Sequence, residues 1–202
     1  GIDQRCAHAV RQRTLRIMKA SRLPIWALTA INILGFQAVW LLSVYGAGTE
    51  RWLPGVFAAL LFAALTLLLS HDRKRDLRTL AIALPIGFAM DSLLAQSPYL
   101  DFASPYPWVN WAPAWIMALW IGFALTLNHS LKSIYHKALP TFLFGLLGGP
   151  LAYGIASQRF GAMTIESDML SCVVLIGLVW GGGLSLIRWI DLALVARKGL
   201  TA

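Results

Sequence analysis

Residues 52–95 read WLPGVFAALLFAALTLLL, a single serine, HDRKRDLR and TLAIALPIGFAMDSLLA in turn. The first apolar run covers Trp52 to Leu69, the cationic block His71 to Arg78, and the second apolar run Thr79 to Ala95. A helix crossing a bilayer core needs roughly 17–25 largely apolar residues. Both runs meet that length. Their hydrophobicity is continuous rather than alternating, which marks helices and not barrel strands. The unit reads as a helical hairpin through a membrane, with its charged turn held in water.

Four further stretches share this character: Leu23 to Tyr45, Trp111 to Leu127, Ala138 to Ala156 and Met169 to Ile190. Together they predict an all-α integral membrane protein, a bundle of six transmembrane helices over residues 23–195. A basic, loosely ordered tail is expected over residues 1–22, with Met18 as an alternative start, and a short basic tail over residues 196–202. No cleavable leader is expected, since no small-residue cleavage site clearly follows the long first apolar run. Pro24, Pro54, Pro113 and Pro140 fall in first turns, where a missing N–H costs little. Pro85 and Pro150 fall inside runs, where kinks are expected.

Composition agrees. Of 202 residues, 58% are hydrophobic and 13% charged, where soluble domains carry about a quarter charged. The mean hydropathy is +0.66. Such a chain could not cover a water-facing surface with polar groups. The net charge of +8 would point to nucleic acid in a soluble protein. Here the cations lie in short blocks between apolar runs, so no nucleic-acid partner is expected. All but Arg51 and Arg159 of the 17 lysines and arginines fall before the first span, in the HDRKRDLR turn, around residues 132–137 and at the end of the sixth span. The positive-inside rule then places both termini and that turn in the cytoplasm. Opposite lies AQSPYLDFASPYPWVNW (95–111), with no lysine or arginine. Its Tyr99, Phe102, Tyr106, Trp108 and Trp111 suit an interfacial aromatic belt. Cys6 sits in the polar tail and Cys172 in an apolar run, so no disulfide joins them.

Polar groups at membrane depth are the candidates for function. Asp91 lies about 12 residues beyond Thr79, roughly 18 Å along a helix. An acid there costs about 2.5–3.5 kcal/mol on insertion scales and must face the bundle interior or a wet cavity. Gln37 lies at a similar depth in the first span, so a Gln37–Asp91 contact is expected, with Asn32 and Trp115 completing a tentative intramembrane site. The fourth span exits through Asn128, His129 and Ser130, a second tentative cluster. His129 and His136 alone make a weak metal hypothesis. Gly145/Gly149 and Gly177/Gly181 fit the small-xxx-small spacing of close helix crossings, though GGP at 148–150 also fits a broken helix lining a cavity. Arg188 is expected to snorkel near Asp191. There is no Walker loop, HExxH, CxxC or GxSxG. No catalytic residue, metal site or cofactor is expected.

NILGFQAVW (32–40), VYGAG (44–48), GFAMDSLL (87–94), APAWIMALWIGFALTLNHSL (112–131) and GLLGGPLAYGIASQRFGA (145–162) together resemble the bacterial inner-membrane proteins of domain-of-unknown-function family 2878. The resemblance covers about Leu23 to Ile190. It implies a small multipass protein of the bacterial inner membrane without an assigned reaction. Family members tend to sit beside genes for lipid-modifying, cyclopropane-synthase-like enzymes, which points to envelope lipid or stress physiology. The pattern from Gly87 to Leu94 is also similar to one in the membrane cell-shape protein of the rod complex. Helix number and size resemble the substrate-capture subunits of vitamin transporters. Three readings follow. One is a non-enzymatic accessory or scaffold, with the bilayer and a membrane-protein partner or a second copy as its contacts. The next is a carrier of a small solute or ion with a site around Asp91. The last is a lipid-acting enzyme, which needs Asn128 or His129 at a lateral opening.

Overall fold

The computed structural model describes residues 24–165 and 169–199, with side chains to Arg197. The tail expected over residues 1–22, with Met18 and Cys6, lies outside the described residues. In chain order the elements are α1 (Ile25–Gly48), α2 (Leu53–Leu69), α3 (Arg73–Ala95), β1 (Leu100–Phe102), α4 (Ala114–Leu127), α5 (Lys132–Tyr135), α6 (Ala138–Phe160), β2 (Met163–Ile165) and α7 (Met169–Gly199).

Local chemistry sets the ends. Pro24 and Pro113 stand at the N-caps of α1 and α4, and Pro54 in the first turn of α2. Asp72 caps α3 by accepting from the Arg75 N–H at 3.0 Å, which satisfies one orphan donor of the first turn. The cationic block is therefore helical from Arg73, and α3 begins earlier than its apolar run. Gly161 ends α6 with φ 62°, and the Ala162 N–H reaches back to Ala156 O at 3.1 Å. That left-handed cap is one only glycine adopts at little cost. α6 and α3 run on through Pro150 and Pro85 as continuous helices. α7 continues through residues 196–199, where a basic tail was expected.

Among the described residues four helices are long and apolar enough to cross a membrane: α1, α3, α6 and Met169–Arg197 of α7. The other two expected crossings are shorter apolar helices, Leu53–Leu69 and Ala114–Leu127. The 14 residues of α4 span only about 21 Å. Its surroundings are largely protein. α4 packs against α1, α2 and α3, and most of its side chains are buried, Trp115, Trp120 and Leu125 among them. A helix sheathed by others need not match the thickness of a lipid layer.

The outer helices are apolar on their exposed faces. Leu34 on α1, Phe57 and Leu61 on α2, Leu147 and Leu151 on α6, and Leu170 and Trp189 on α7 are all exposed. Buried polar groups such as Asn32, Asp76 and Asp91 lie inside. This distribution, apolar outside and polar within, suits hydrocarbon as the solvent.

The bundle has two unlike ends. At one, the turn before α3, the 128–137 connection and the last turns of α7 converge. At the other, β1 and β2 pair antiparallel with Leu100 opposite Ile165 and Phe102 opposite Met163. The all-α expectation missed this small sheet because LDF and MTI are too short to give a period. It buries Phe102, which therefore does not join an interfacial belt, whereas Tyr106, Trp108 and Trp111 are exposed.

α6 and α7 pack backbone against backbone. A Cβ on Gly145 would lie 2.5 Å from Trp180 O and 2.8 Å from the Gly181 Cα, and one on Gly177 would lie 2.7 Å from Leu146 O. Gly149 would meet the Trp180 ring and Gly181 would meet Phe142, while Gly148 faces open space. Gly145→Ala should force the two backbones apart at a cost of about 1–3 kcal/mol. Gly148→Ala should gain up to about 1 kcal/mol of helix propensity. Reversible unfolding of the detergent-solubilised variants in a mixed-micelle titration checks both signs.

Candidate functional site

Asp91 lies one helical turn before the end of α3 at Ala95, nearer the strand-bearing end than the middle of the bundle. Its side chain is fully buried. One turn earlier, Gly87 carries no Cβ, and any Cβ there would run into the Trp120 indole. The missing side chain lets α4 lay that indole across α3. Trp120 Nε1 then donates to Asp91 Oδ2 at 2.5 Å, and the Tyr153 hydroxyl of α6 donates to Oδ1. Three helices are thus pinned to one carboxyl. Among the described residues the ion pairs are Arg78–Asp191 and His129–Asp76, so Asp91 has donors but no cationic partner.

Beside it is a cavity of about 330 Å³. Phe36, Gln37 and Trp40 of α1 form one wall, Trp115 and Trp120 of α4 the back, and Ala152 and Tyr153 of α6 the opposite wall. Trp180 of α7 also lines it, stacked on Trp120 at 4.9 Å and 13°. Met163 of β2 borders the cavity at the strand-bearing end. Among the described residues no lysine, arginine or histidine lines it. Leu151, 66% exposed, and Ile155, 39% exposed, stand at its edge with the exposed Gln37. The cavity therefore opens sideways between α1 and α6, onto the apolar outer surface.

A second polar cluster closes the other end. His129 Nε2 lies 3.0 Å from Asp76 Oδ2, and Ser70 Oγ donates to the same oxygen at 2.5 Å. Asn128 Nδ2 donates to Asp76 Oδ1 at 3.1 Å and to Thr79 Oγ1 at 2.9 Å. Asn32 bridges α1 to the end of α4, donating to Leu125 O at 3.3 Å and accepting from Ser130 Oγ at 2.6 Å. Arg78 Nε meets Asp191 Oδ1 at 2.6 Å. This arrangement is a girdle that ties five helices together where the chain carries its charge.

The sequence-derived residues divide between the two places. Gln37, Trp115 and Asp91 share the cavity, but no hydrogen bond makes the expected Gln37–Asp91 contact. Gln37 is on the exposed face of α1, and the carboxyl oxygens are taken by Trp120 and Tyr153. Asn32 belongs with Asn128 and His129 in the girdle. Arg188 does not pair with Asp191. Its Nε and Nη2 donate to Tyr135 O and His136 O, each at 3.0 Å, where the end of the short α5 leaves carbonyls unpaired. Among the described residues no group of three or more metal-ligating side chains occurs. Trp120, Tyr153, Trp180 and Asp76 were not singled out from sequence. A lone tyrosine in the glycine-rich α6 was a usable signal. Asp76 was hidden in a run that reads as solvated charge.

A family model described as a protein of unknown function, DUF2878, matches residues 29–186. No curated protein and no solved structure matches the chain.

His136 gives the girdle a pH signature. Its imidazole is held below the ordinary 6.5 by partial burial and by Arg75, Lys132 and Arg188, with Asp191 opposing them. Arg75 Nη2 lies 3.0 Å from its Nε2. The unfolded chain takes up that proton first, so this contribution to stability is present above the ordinary value and is lost as pH falls through the lower folded one. The thermal midpoint should drop between about pH 7 and about pH 5. His136→Gln should remove part of that drop, as read by differential scanning fluorimetry.

Proposed function

The chain belongs to the DUF2878 family of proteins of unknown function, and from that premise we propose that it binds an apolar or amphiphilic ligand entering from the lipid. On this reading it is a protein of the bacterial inner membrane, non-enzymatic, crossing six times with both termini in the cytoplasm. The observation that carries the binding role is the cavity of about 330 Å³ beside Asp91, aromatic in its lining and open between α1 and α6. Pockets that hold small molecules are mostly apolar and carry a few placed polar groups. An ionisable residue at membrane depth marks such sites. The reading thereby sides with the carrier class over a pure scaffold.

Six crossings follow from adding the two shorter apolar helices, whose ends alternate between the girdle and the strand pair. The cationic girdle then faces the cytoplasm, as the positive-inside rule requires. An accessory role in envelope or lipid physiology, through a membrane-protein partner or a second copy, keeps one specific support. Both Asp91 oxygens are already hydrogen-bonded, as a purely architectural carboxyl would be.

Two measurements test this. Cysteines placed singly at Ser104 and at Ser133 should label from opposite sides of the membrane, Ser104 from the periplasm. Labelling of both from one side would remove the six-span topology. Protein extracted in a mild detergent should carry a co-purifying amphiphile, detected by mass spectrometry of the organic extract. Ala152→Phe, which fills the cavity without touching Asp91, should lower its occupancy at least about fivefold, about 1 kcal/mol of binding free energy. Equal occupancy in the folded variant would count against the cavity as the site.

A further inference from the structure

The lining of the cavity selects among amphiphiles by charge. Asp91 brings a carboxyl into an apolar interior with two hydrogen-bond donors and no cationic side chain among the described residues facing it. A buried charge without a counter-charge is costly. Membrane proteins use such carboxyls as counter-ions for bound ligands. The donors are themselves aromatic, the indole of Trp120 and the phenol of Tyr153. An N–H or O–H that donates to a carboxylate pushes electron density back into its ring, since hydrogen-bonded groups polarise one another. Trp120 itself lies against Gly87 and under Trp180, stacked at 4.9 Å, so the rings left for a cation to lie over are the partly exposed Trp180 and Trp40, which also line the cavity.

We propose, building on the binding role above, that this cavity is a site for a lipophilic organic cation, an alkylated ammonium carried on an alkyl chain. The carboxyl supplies the opposing charge through the rings that cover it, and the aromatic faces supply the contacts. Both carboxyl oxygens already accept hydrogen bonds, so the walls offer few free acceptors to an ammonium that must donate N–H groups. A tertiary or quaternary ammonium makes no such demand or almost none. The head enters past Gln37, an amide exposed on α1 at the cavity edge, and the chain trails through the mouth into lipid. A phosphate or carboxylate head would face Asp91 with like charge and no balancing lysine or arginine among the described residues.

The test uses full-length protein immobilised in maltoside micelles and two tritiated probes of equal chain, dodecyltrimethylammonium and dodecanol, read by scintillation proximity. The expected result is saturable binding of both, with the cation tighter by about tenfold. Asp91→Asn keeps the shape and should bring the two probes within about twofold of each other. Trp180→Leu removes an aromatic face without altering either hydrogen-bond partner of Asp91 and should weaken the cation more than the alcohol. It decides the matter if the Asn variant is not monodisperse on gel filtration. Equal affinity for the two probes, or a preference that survives both substitutions, overturns the ammonium assignment and leaves the cavity as a neutral-ligand site. Absence of saturable binding of either probe to folded wild-type protein overturns both the assignment and the binding role.

Discussion

Hydrocarbon supplies no hydrogen bonds, so any polar group that the chain carries into a bilayer must find its partner in the protein. Asp91 shows how far that constraint reaches. Satisfying one carboxyl takes an indole from α4 and a hydroxyl from α6. Reaching it requires that Gly87 have no side chain, so that the two helices come together closely enough. The carboxyl is therefore both an anchor for three helices and the source of the cavity's electrostatic character. Packing and chemistry at this point have the same cause.

The two ends of the bundle meet the same constraint differently. The charged end uses side chains: Asp76 with Ser70, Asn128 and His129, and Asp191 with Arg78. Partly buried ion pairs of this kind gain from surrounding hydrogen bonds that satisfy the remaining lone pairs. The other end uses backbone, pairing β1 with β2 and extending the ladder through the Ala103 N–H to Ala162 O at 2.9 Å. Trp115 adds a side-chain tie there, its Nε1 donating to Ala103 O at 2.9 Å. Between the two ends, α1 and α6 meet only sparsely, and that seam is where the cavity opens.

Much of this was legible from the residues, because hydrophobic run length and glycine spacing are local properties. The helix runs, the α6–α7 glycine spacing and the presence of a lone acid within an apolar run all belong to that class. Partner identity was not legible. Trp120 lies five residues after Trp115, on a different side of α4, and only the absence of a side chain at Gly87 admits it to Asp91. Gln37 was assigned to that acid on depth alone, and depth says nothing about which way a helix is turned. Asp76 sits among cations, where a solvated role is the ordinary one. Its burial depends on His129 and Asn128, over fifty residues away in the chain.

The shortness of α4 bears on how the protein is made. At 14 residues, about 21 Å, it would sit badly as a lone segment in a hydrocarbon layer of about 30 Å. Three of the helices that pack against it, α1, α2 and α3, precede it in the chain, while Phe144 of α6 and Trp180 of α7 cover its Phe123 and Trp120. Translation thus builds much of the receptacle before its content, and α6 with α7 follows as a pair sealed by its own glycines. Three neighbours are in place when α4 is made and the last two complete its burial, so the segment least fit to stand alone in lipid never has to.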